Sequence, residues 1–218
     1  RKVFPRMQGA LESFDRQLVR DPYTPFSFWG RAIFDLLGRL NDASSRTWLR
    51  KYLNSPSAGG KLYSAVELIK QGQAVDPKIW AYIAKDKETR LDLYDELKAL
   101  EKLKLYPKDY LSRKSFAESH AWLLAEDDYD PKSIHFLREV TTDFDGGPRT
   151  FFLYRVSVED DDGDYSLLVI IGPYKPGSKD LLPPEEEDVS TVYEDDEYAP
   201  GLELRHLQSY LKGLEKSR

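Results

Sequence analysis

The segment SIHFLREV, residues 133–140, decides the fold, because here the apolar residues begin to alternate with polar ones. One side of this alternation consists of Ile134, Phe136, Arg138 and Val140. A period of two is typical of a β-strand, whereas the period near 3.6 that precedes it is typical of amphipathic helices. We therefore expect a helical lobe over residues 1–132 and an antiparallel sheet over residues 133–218.

Two further strands are predicted downstream of this segment. Residues 150–158 alternate again and place Phe152, Tyr154, Val156 and Val158 on one face. Residues 165–171 are apolar except for Ser166, which favours a strand covered on both faces. Tight reversals are expected at residues 143–148 and 160–164, which are rich in Asp and Gly. The sequence thus predicts a three-stranded antiparallel meander.

Six helices are predicted upstream, joined by short loops as in stacked helical hairpins. Their expected starts are Thr24-Pro25, Asn41 or Asp42, Ser57, Asp76-Pro77, Asp86 and Ser112. The apolar stripe of the first is Phe26, Trp29, Ile33, Leu36, Leu37 and Leu40. The sixth has Phe116, Trp122 and Leu123 on its apolar side. The even spacing of some starts leaves a solenoid-like fragment as an alternative.

The end of the chain combines an acidic segment with a helix. Residues 176–200 are rich in proline and acid, which favours an extended, mobile connection. Leu204, Leu207, Leu211 and Leu214 then predict an amphipathic helix that docks on the sheet or on the helical lobe. The expected fold class is α+β, with a helical-hairpin lobe, a meander and a C-terminal helix.

Composition narrows the classes of function. Of the 218 residues, 40% are hydrophobic and none is cysteine, which predicts a packed protein without disulfides or zinc-thiolate sites. Residues 1–132 carry 23 Lys+Arg and 19 Asp+Glu, whereas residues 133–218 carry 9 and 19. Such an acidic second half disfavours binding to nucleic acid. No apolar stretch is long enough for a membrane span or a signal peptide, so we expect a soluble protein of undetermined compartment.

The chain opens at Arg1 rather than Met, which we interpret as a region of a larger protein. Two motifs suggest ligands weakly. Ser57-Ala58-Gly59-Gly60-Lys61 resembles a phosphate-binding turn but departs from the P-loop spacing, so a capped helix start is the favoured interpretation. Asp160, Asp162 and Asp164 alternate as calcium ligands do, but Tyr165 stands where an EF-hand needs glycine, which favours a solvated turn.

Catalytic candidates are few. The three histidines, His120, His135 and His206, lie on different predicted elements, and Glu118 is the nearest acid to His120. None of them forms a complete catalytic or metal-binding motif, so we expect no metal and no cofactor.

The predicted function is therefore a non-catalytic interaction or scaffold module that binds a protein partner or a neighbouring domain. The predicted docking residues are Glu185, Glu186, Glu187, Asp188, Glu194, Asp195, Asp196 and Glu197. Two alternatives stay open. One is a hydrolase-type enzyme with a His/carboxylate site between the lobes, and the other is an acidic inhibitor or immunity-type protein.

Overall fold

The structure, a computed structural model, describes Gly9 and residues 28–160, 163–182, 190–195 and 202–217. In this part of the chain, helices come first, an antiparallel sheet of four strands follows, and a helix ends the order. The predicted α+β class is confirmed. Contacts divide the chain into two compact units, Arg1–Lys108 and Asp109–Arg218. We call them unit 1 and unit 2.

All regular elements among the described residues of unit 1 are helices. Its helices are α1 (Phe28–Leu40), α2 (Ala43–Tyr52), α3 (Ala58–Lys70), α4 (Pro77–Lys85) and α5 (Arg90–Ala99). Short 3-10 turns follow at Leu103–Leu105 and Lys108–Tyr110. α3 contacts α1, α2, α4 and α5, so the unit is arranged around this one helix.

Local capping explains where most of these helices begin. Asp42 accepts a hydrogen bond from the backbone N–H of Ser45 and completes a capping box with that serine. The Ser57 hydroxyl accepts from Gly60 N, and the Asp76 carboxylate accepts from Lys78 N ahead of the proline that opens α4. These predicted starts are confirmed, whereas the pair Thr24-Pro25 lies outside the described residues. Gly72 ends the α3 region at a φ of 72°, a left-handed conformation that glycine adopts without strain.

The start of α5 differs from the prediction. Asp86 does not cap this helix, because its carboxylate accepts hydrogen bonds from the N–H and hydroxyl of Thr89 and so stabilises a turn before it. The helix begins at Arg90. Leu93 and Leu97 of this helix are fully buried, while Leu100, just after its end, is half-buried.

The buried face of α1 also differs from the predicted stripe. Phe34 and Leu37 are buried against Leu49, Tyr52 and Leu68, and the rings of Phe34 and Tyr52 meet edge to face at 5.0 Å. By contrast, Leu36 is 40% exposed, so its predicted place in the core is wrong. The reason is rotation, because a turn of 3.6 residues allows two adjacent apolar stripes and tertiary packing selects the one centred on Phe34. The side chains of Phe26 and Trp29 lie outside the described residues.

Unit 2 places a sheet between two helices. Its elements are α6 (Arg113–Glu126), β1 (Asp130–Phe144), β2 (Gly147–Asp160), β3 (Gly163–Tyr174), β4 (Thr191–Asp195) and α7 (Leu202–Ser217). The strands pair antiparallel in the order β1-β2-β3-β4. The meander therefore has four strands rather than three. β4 comes from the segment 176–200 that was predicted as a mobile connection, and it pairs with β3 from Ser166 to Ile170.

Each face of the sheet is covered by one helix, as the apolar run in β3 predicts. On one face lie Phe152, Tyr154, Val156, Val158, Leu167, Val169 and Ile171, packed with alanines of α6. On the other lie Phe151, Leu153, Leu168 and Ile170, packed with Leu207 and Leu211 of α7. The expected docking of the last helix on the sheet is confirmed for these two leucines.

β1 changes face along its length. Register shifts occur between Pro131 and Ser133 and between Phe136 and Arg138. As a result Ile134 packs with the α6 side, whereas Leu137 and Val140 pack with the α7 side. The expected single face of Ile134, Phe136, Arg138 and Val140 is therefore wrong, because a β-bulge inserts a residue and reverses the alternation beyond it.

The contact of α6 with the sheet depends on alanine. Ala117, Ala121 and Ala125 are fully buried and recur every four residues. Trp122 and Leu123, expected on the buried side, are only half-buried, while Phe116 is buried as predicted. Small side chains let the helix backbone approach the large side chains of β2 and β3. α6 thus packs with the sheet, and the division at residues 132 and 133 as a domain boundary stays a prediction.

We expect Ala121→Leu to destabilise unit 2 by about 1–3 kcal/mol, because the larger side chain must displace close-packed strand residues. Urea unfolding followed by circular dichroism measures this loss. The control is Ala99→Leu on α5, where the alanine is exposed and leucine is a comparable helix former. Equal stability of the two variants would contradict the close packing of α6 on the sheet.

Candidate functional site

Four acidic positions, one from each strand, lie near one end of the sheet on the same face. The register pairs Asp130 with Glu159 and Glu159 with Asp164, and it pairs Ser166 with Asp195. Since side chains alternate between faces along a strand, these positions share a face with Leu153 and Leu168, the face that α7 covers further along. We call Asp130, Glu159, Asp164 and Asp195 the acidic row.

Two members of the row are described in full. The side chains of Asp130 and Glu159 are 71% and 57% exposed. Lys132 lies between them and donates to Asp130 Oδ2 at 2.6 Å and to Glu159 Oε2 at 3.1 Å. These two carboxylates raise the pKa of Lys132, through hydrogen bonds first and charge second. A lysine whose pKa is raised in this way indicates a locally negative potential.

More acid surrounds the row. Asp127 and Asp128 are exposed immediately after α6. Glu194 pairs with Leu167, which places it on the opposite face of the sheet from the acidic row. Strand β4 therefore carries one acidic residue on each face at its end. This end of unit 2 is thus acidic on both sides of the sheet.

The predicted docking residues divide between described and undescribed parts of the chain. Glu194 and Asp195 belong to β4. The others, Glu185, Glu186, Glu187, Asp188, Asp196 and Glu197, lie outside the described residues. Their part in docking stays a prediction.

The aspartates of the β2–β3 turn do not share a face. Asp160 pairs with Gly163 and Asp164 with Glu159, so Asp160 and Asp164 occupy register positions on opposite faces of the hairpin. Asp162 lies outside the described residues. Among the residues whose side chains are described, no group of three or more histidines and acids is arranged to hold a metal ion.

The histidines occupy three different elements of unit 2. His120 on α6 and His206 on α7 are half-buried, and the sheet lies between their helices. His135 is exposed on β1, opposite Arg155 of β2. Glu118 is two residues from His120, a spacing that directs side chains to different sides of a helix. The fold therefore does not bring His120 together with His206 or orient Glu118 toward His120.

The glycine-rich helix start in unit 1 has a structural role. Lys61 Nζ donates to the carbonyl oxygen of Leu53 at 3.0 Å and to that of Ser55, and it lies 4.7 Å from the centre of the Tyr82 ring. Burial lowers the pKa of Lys61. The ammonium group thus binds carbonyl oxygens that follow the end of α2.

Sequence reasoning missed the acidic row because its members are spread over 66 positions, from Asp130 to Asp195. Only strand register brings them to the same end and the same face of the sheet. The signal that was available is the aspartate-rich turn at residues 160–164, which any β2–β3 hairpin must place at an end of the sheet.

Comparison with known proteins gives no relative: no protein-family model, no curated protein and no solved structure matches this chain. None of the helices in the described residues has the length and apolar character required to cross a bilayer.

We expect Asp164→Asn to stabilise unit 2 by about 0.2–1 kcal/mol at low salt, because like charges directly opposite on paired strands repel. Urea unfolding at about 10 mM and about 1 M salt measures the effect, which should shrink at high salt as the screening length falls from about 30 to 3 Å. Asp109→Asn, an exposed position in the same unit, is the control. Equal, salt-independent effects of the two substitutions would contradict repulsion within the row.

Proposed function

We propose that this protein is a non-catalytic interaction module that binds a basic partner protein, or a neighbouring basic domain, on the acidic row. The observation that carries the proposal is the register, which gives each of the four strands an acidic position on the same face near one end of the sheet. Binding of a basic partner to the acidic row requires complementary charge and no catalytic residue.

The energetics of the row support a binding role. Asp130, Glu159 and Asp164 stand opposite one another on adjacent strands, an arrangement that lowers stability because the charges repel. Lys132 offsets part of this repulsion through its contacts with the first two. Cations of a basic partner would offset more of this repulsion. The carboxylates that repel one another in unit 2 alone would therefore attract the partner in a complex.

The spacing of the row indicates the shape of the partner. Neighbouring strands lie about 4.8 Å apart, so the facing positions Asp130, Glu159 and Asp164 recur at about that interval across the sheet. Asp195 faces Ser166 instead and is therefore offset from Asp164 by two residues along β3. On a helix, residues three or four apart lie about 5–6 Å from each other, whereas alternate residues of an extended strand lie about 6.6 Å apart. A helix with Lys or Arg on one face, lying across the strands, fits the row better than an extended basic peptide.

The two alternatives differ in their support. The hydrolase alternative relies on a histidine with a carboxylate nearby, and α6 and α7 hold His120 and His206 on opposite sides of the sheet. The inhibitor or immunity-type alternative shares the acidic row with our proposal, because a row of carboxylates resembles nucleic-acid phosphates in charge. It predicts that DNA competes for the same target, whereas a scaffold partner need not bind DNA.

The test uses two synthetic peptides of identical composition. One places four lysines along one face of an alanine-rich helix, and the other distributes the same lysines around it. We expect the one-faced peptide to bind more tightly by calorimetry, with an affinity that falls as salt rises, since exposed charge pairs are screened. Equal affinities for the two peptides would exclude recognition by the row.

Variants of the protein locate the binding surface. Combining Asp130→Asn, Glu159→Gln and Asp195→Asn should weaken binding of the one-faced peptide about two- to fivefold per residue, in keeping with exposed ion pairs. The matched control combines Glu88→Gln, Glu101→Gln and Asp109→Asn, which removes the same charge at other exposed positions. An equal loss in both variants would show attraction to net charge alone and would contradict the proposal.

A further inference from the structure

A buried carboxyl group lies at the contact between α1 and α3. Glu67 of α3 is 6% exposed. A Cβ atom built on Gly38 of α1 would lie 1.7 Å from Glu67 Oε2, so the carboxyl group occupies the space that any other residue at position 38 would fill. The side chain of Gln71, one turn further on, donates to the Gly38 carbonyl oxygen at 3.0 Å. Polar groups of α3 therefore rest directly on the backbone of α1.

Two charged groups face this carboxyl, and they act in opposite directions. Lys70 Nζ of α3 lies 2.5 Å from Glu67 Oε1, but its side chain is 39% exposed. Asp35 of α1 interacts with Glu67 through charge and through a side-chain hydrogen bond. No charged group of α2, α4 or α5 among the described residues affects the titration of Glu67. The protonation state of Glu67 thus depends on burial and Asp35, which favour the neutral carboxyl group, and on Lys70, which favours the ionised one.

Burial is the largest influence, and it raises the pKa of Glu67. Asp35 raises this pKa further, whereas Lys70 lowers it. The chemistry of the pair explains the direction. A hydrogen bond between two carboxyl groups needs a proton on one of them, and once both are ionised the shared site holds two negative charges.

We propose that the contact between α1 and α3 is a pH-sensitive joint, which protonation of Glu67 tightens and ionisation of Glu67 loosens. In the protonated form Glu67 donates to Asp35 and stays buried against Gly38. In the ionised form it repels Asp35 and keeps only Lys70, which already contacts it, as a countercharge. The joint lies in unit 1 and does not depend on the acidic row, so either proposal can fail without the other.

The direction in which pH changes the stability contributed by Glu67 follows from proton linkage. Glu67 has a higher pKa in the folded protein than its ordinary value of 4.5. Its contribution to stability is therefore fully present below about pH 4.5 and is lost as the pH rises through the folded value. Other groups change the total stability over this range, so the contribution of Glu67 must be read against a variant that cannot ionise there.

The experiment compares the full-length protein with Glu67→Gln, which keeps the shape of the side chain and removes its ionisation. Hydrogen exchange of the α1 amides is measured for both at each pH from about 4 to 8, so that intrinsic exchange rates cancel. We expect the ratio of wild-type to variant rates to be lowest at acidic pH and to rise by about tenfold for each unit by which the pKa is raised. Glu101→Gln, an exposed matched substitution in unit 1, should leave the ratio constant.

Carbon-13 NMR of the glutamate side chains provides a second readout that does not depend on variant stability. In the wild-type protein the Glu67 carboxyl should titrate above 4.5, and Asp35→Asn should lower its midpoint. A midpoint at or below 4.5, or an exchange ratio for Glu67→Gln that is independent of pH, would overturn the proposal.

Discussion

Burial of β2 and β3 on both faces is the constraint on which unit 2 depends. Residues 151–154 of β2 and residues 167–174 of β3 are buried without interruption. Because successive side chains of a strand point to opposite faces, such runs require a layer of apolar groups above and below. The alanine face of α6 and the leucines of α7 supply these two layers. Without either helix, the apolar side chains on that face of the sheet would be exposed to water.

This constraint also determines where charge is allowed. The buried runs of residues 151–154 and 167–174 contain no charged residue, and the acidic residues of β2 and β3 occur where the strands leave the covered region. Glu159 is exposed one residue beyond the buried Val158, and the row continues from it on both sides. Interior packing thus stabilises a sheet with acidic positions at its end, where the side chains of Asp130 and Glu159 are exposed.

The parts of the fold that could be predicted from sequence are those with local causes. The change of period near Ser133, the caps at Asp42, Ser57 and Asp76, and the hairpin at Asp145-Gly146, where φ is positive at both residues, all follow from a few neighbouring side chains. Such features need no knowledge of the rest of the chain.

The parts that could not be predicted depend on tertiary contacts. Strand β4 is surrounded by acid and proline, and its short segment Thr191-Val192-Tyr193 becomes a strand because β3 offers a free edge. The alanine stripe of α6 carries little hydrophobic signal, although it is what fits the sheet. The acidic row is even harder to predict from the sequence, because it depends on the register of all four strands. The Glu67 site likewise requires a helix crossing at Gly38.

The two bulges of β1 have a consequence for the behaviour of the protein in concentrated solution. β1 runs for 15 residues along one margin of the described sheet. A long, straight edge strand can pair through its backbone with a strand of another molecule, which favours fibril growth. Bulges bend and twist the strand locally, so its free N–H and C=O groups fall out of the even spacing that an incoming strand needs. The irregularities thus act as a safeguard against aggregation.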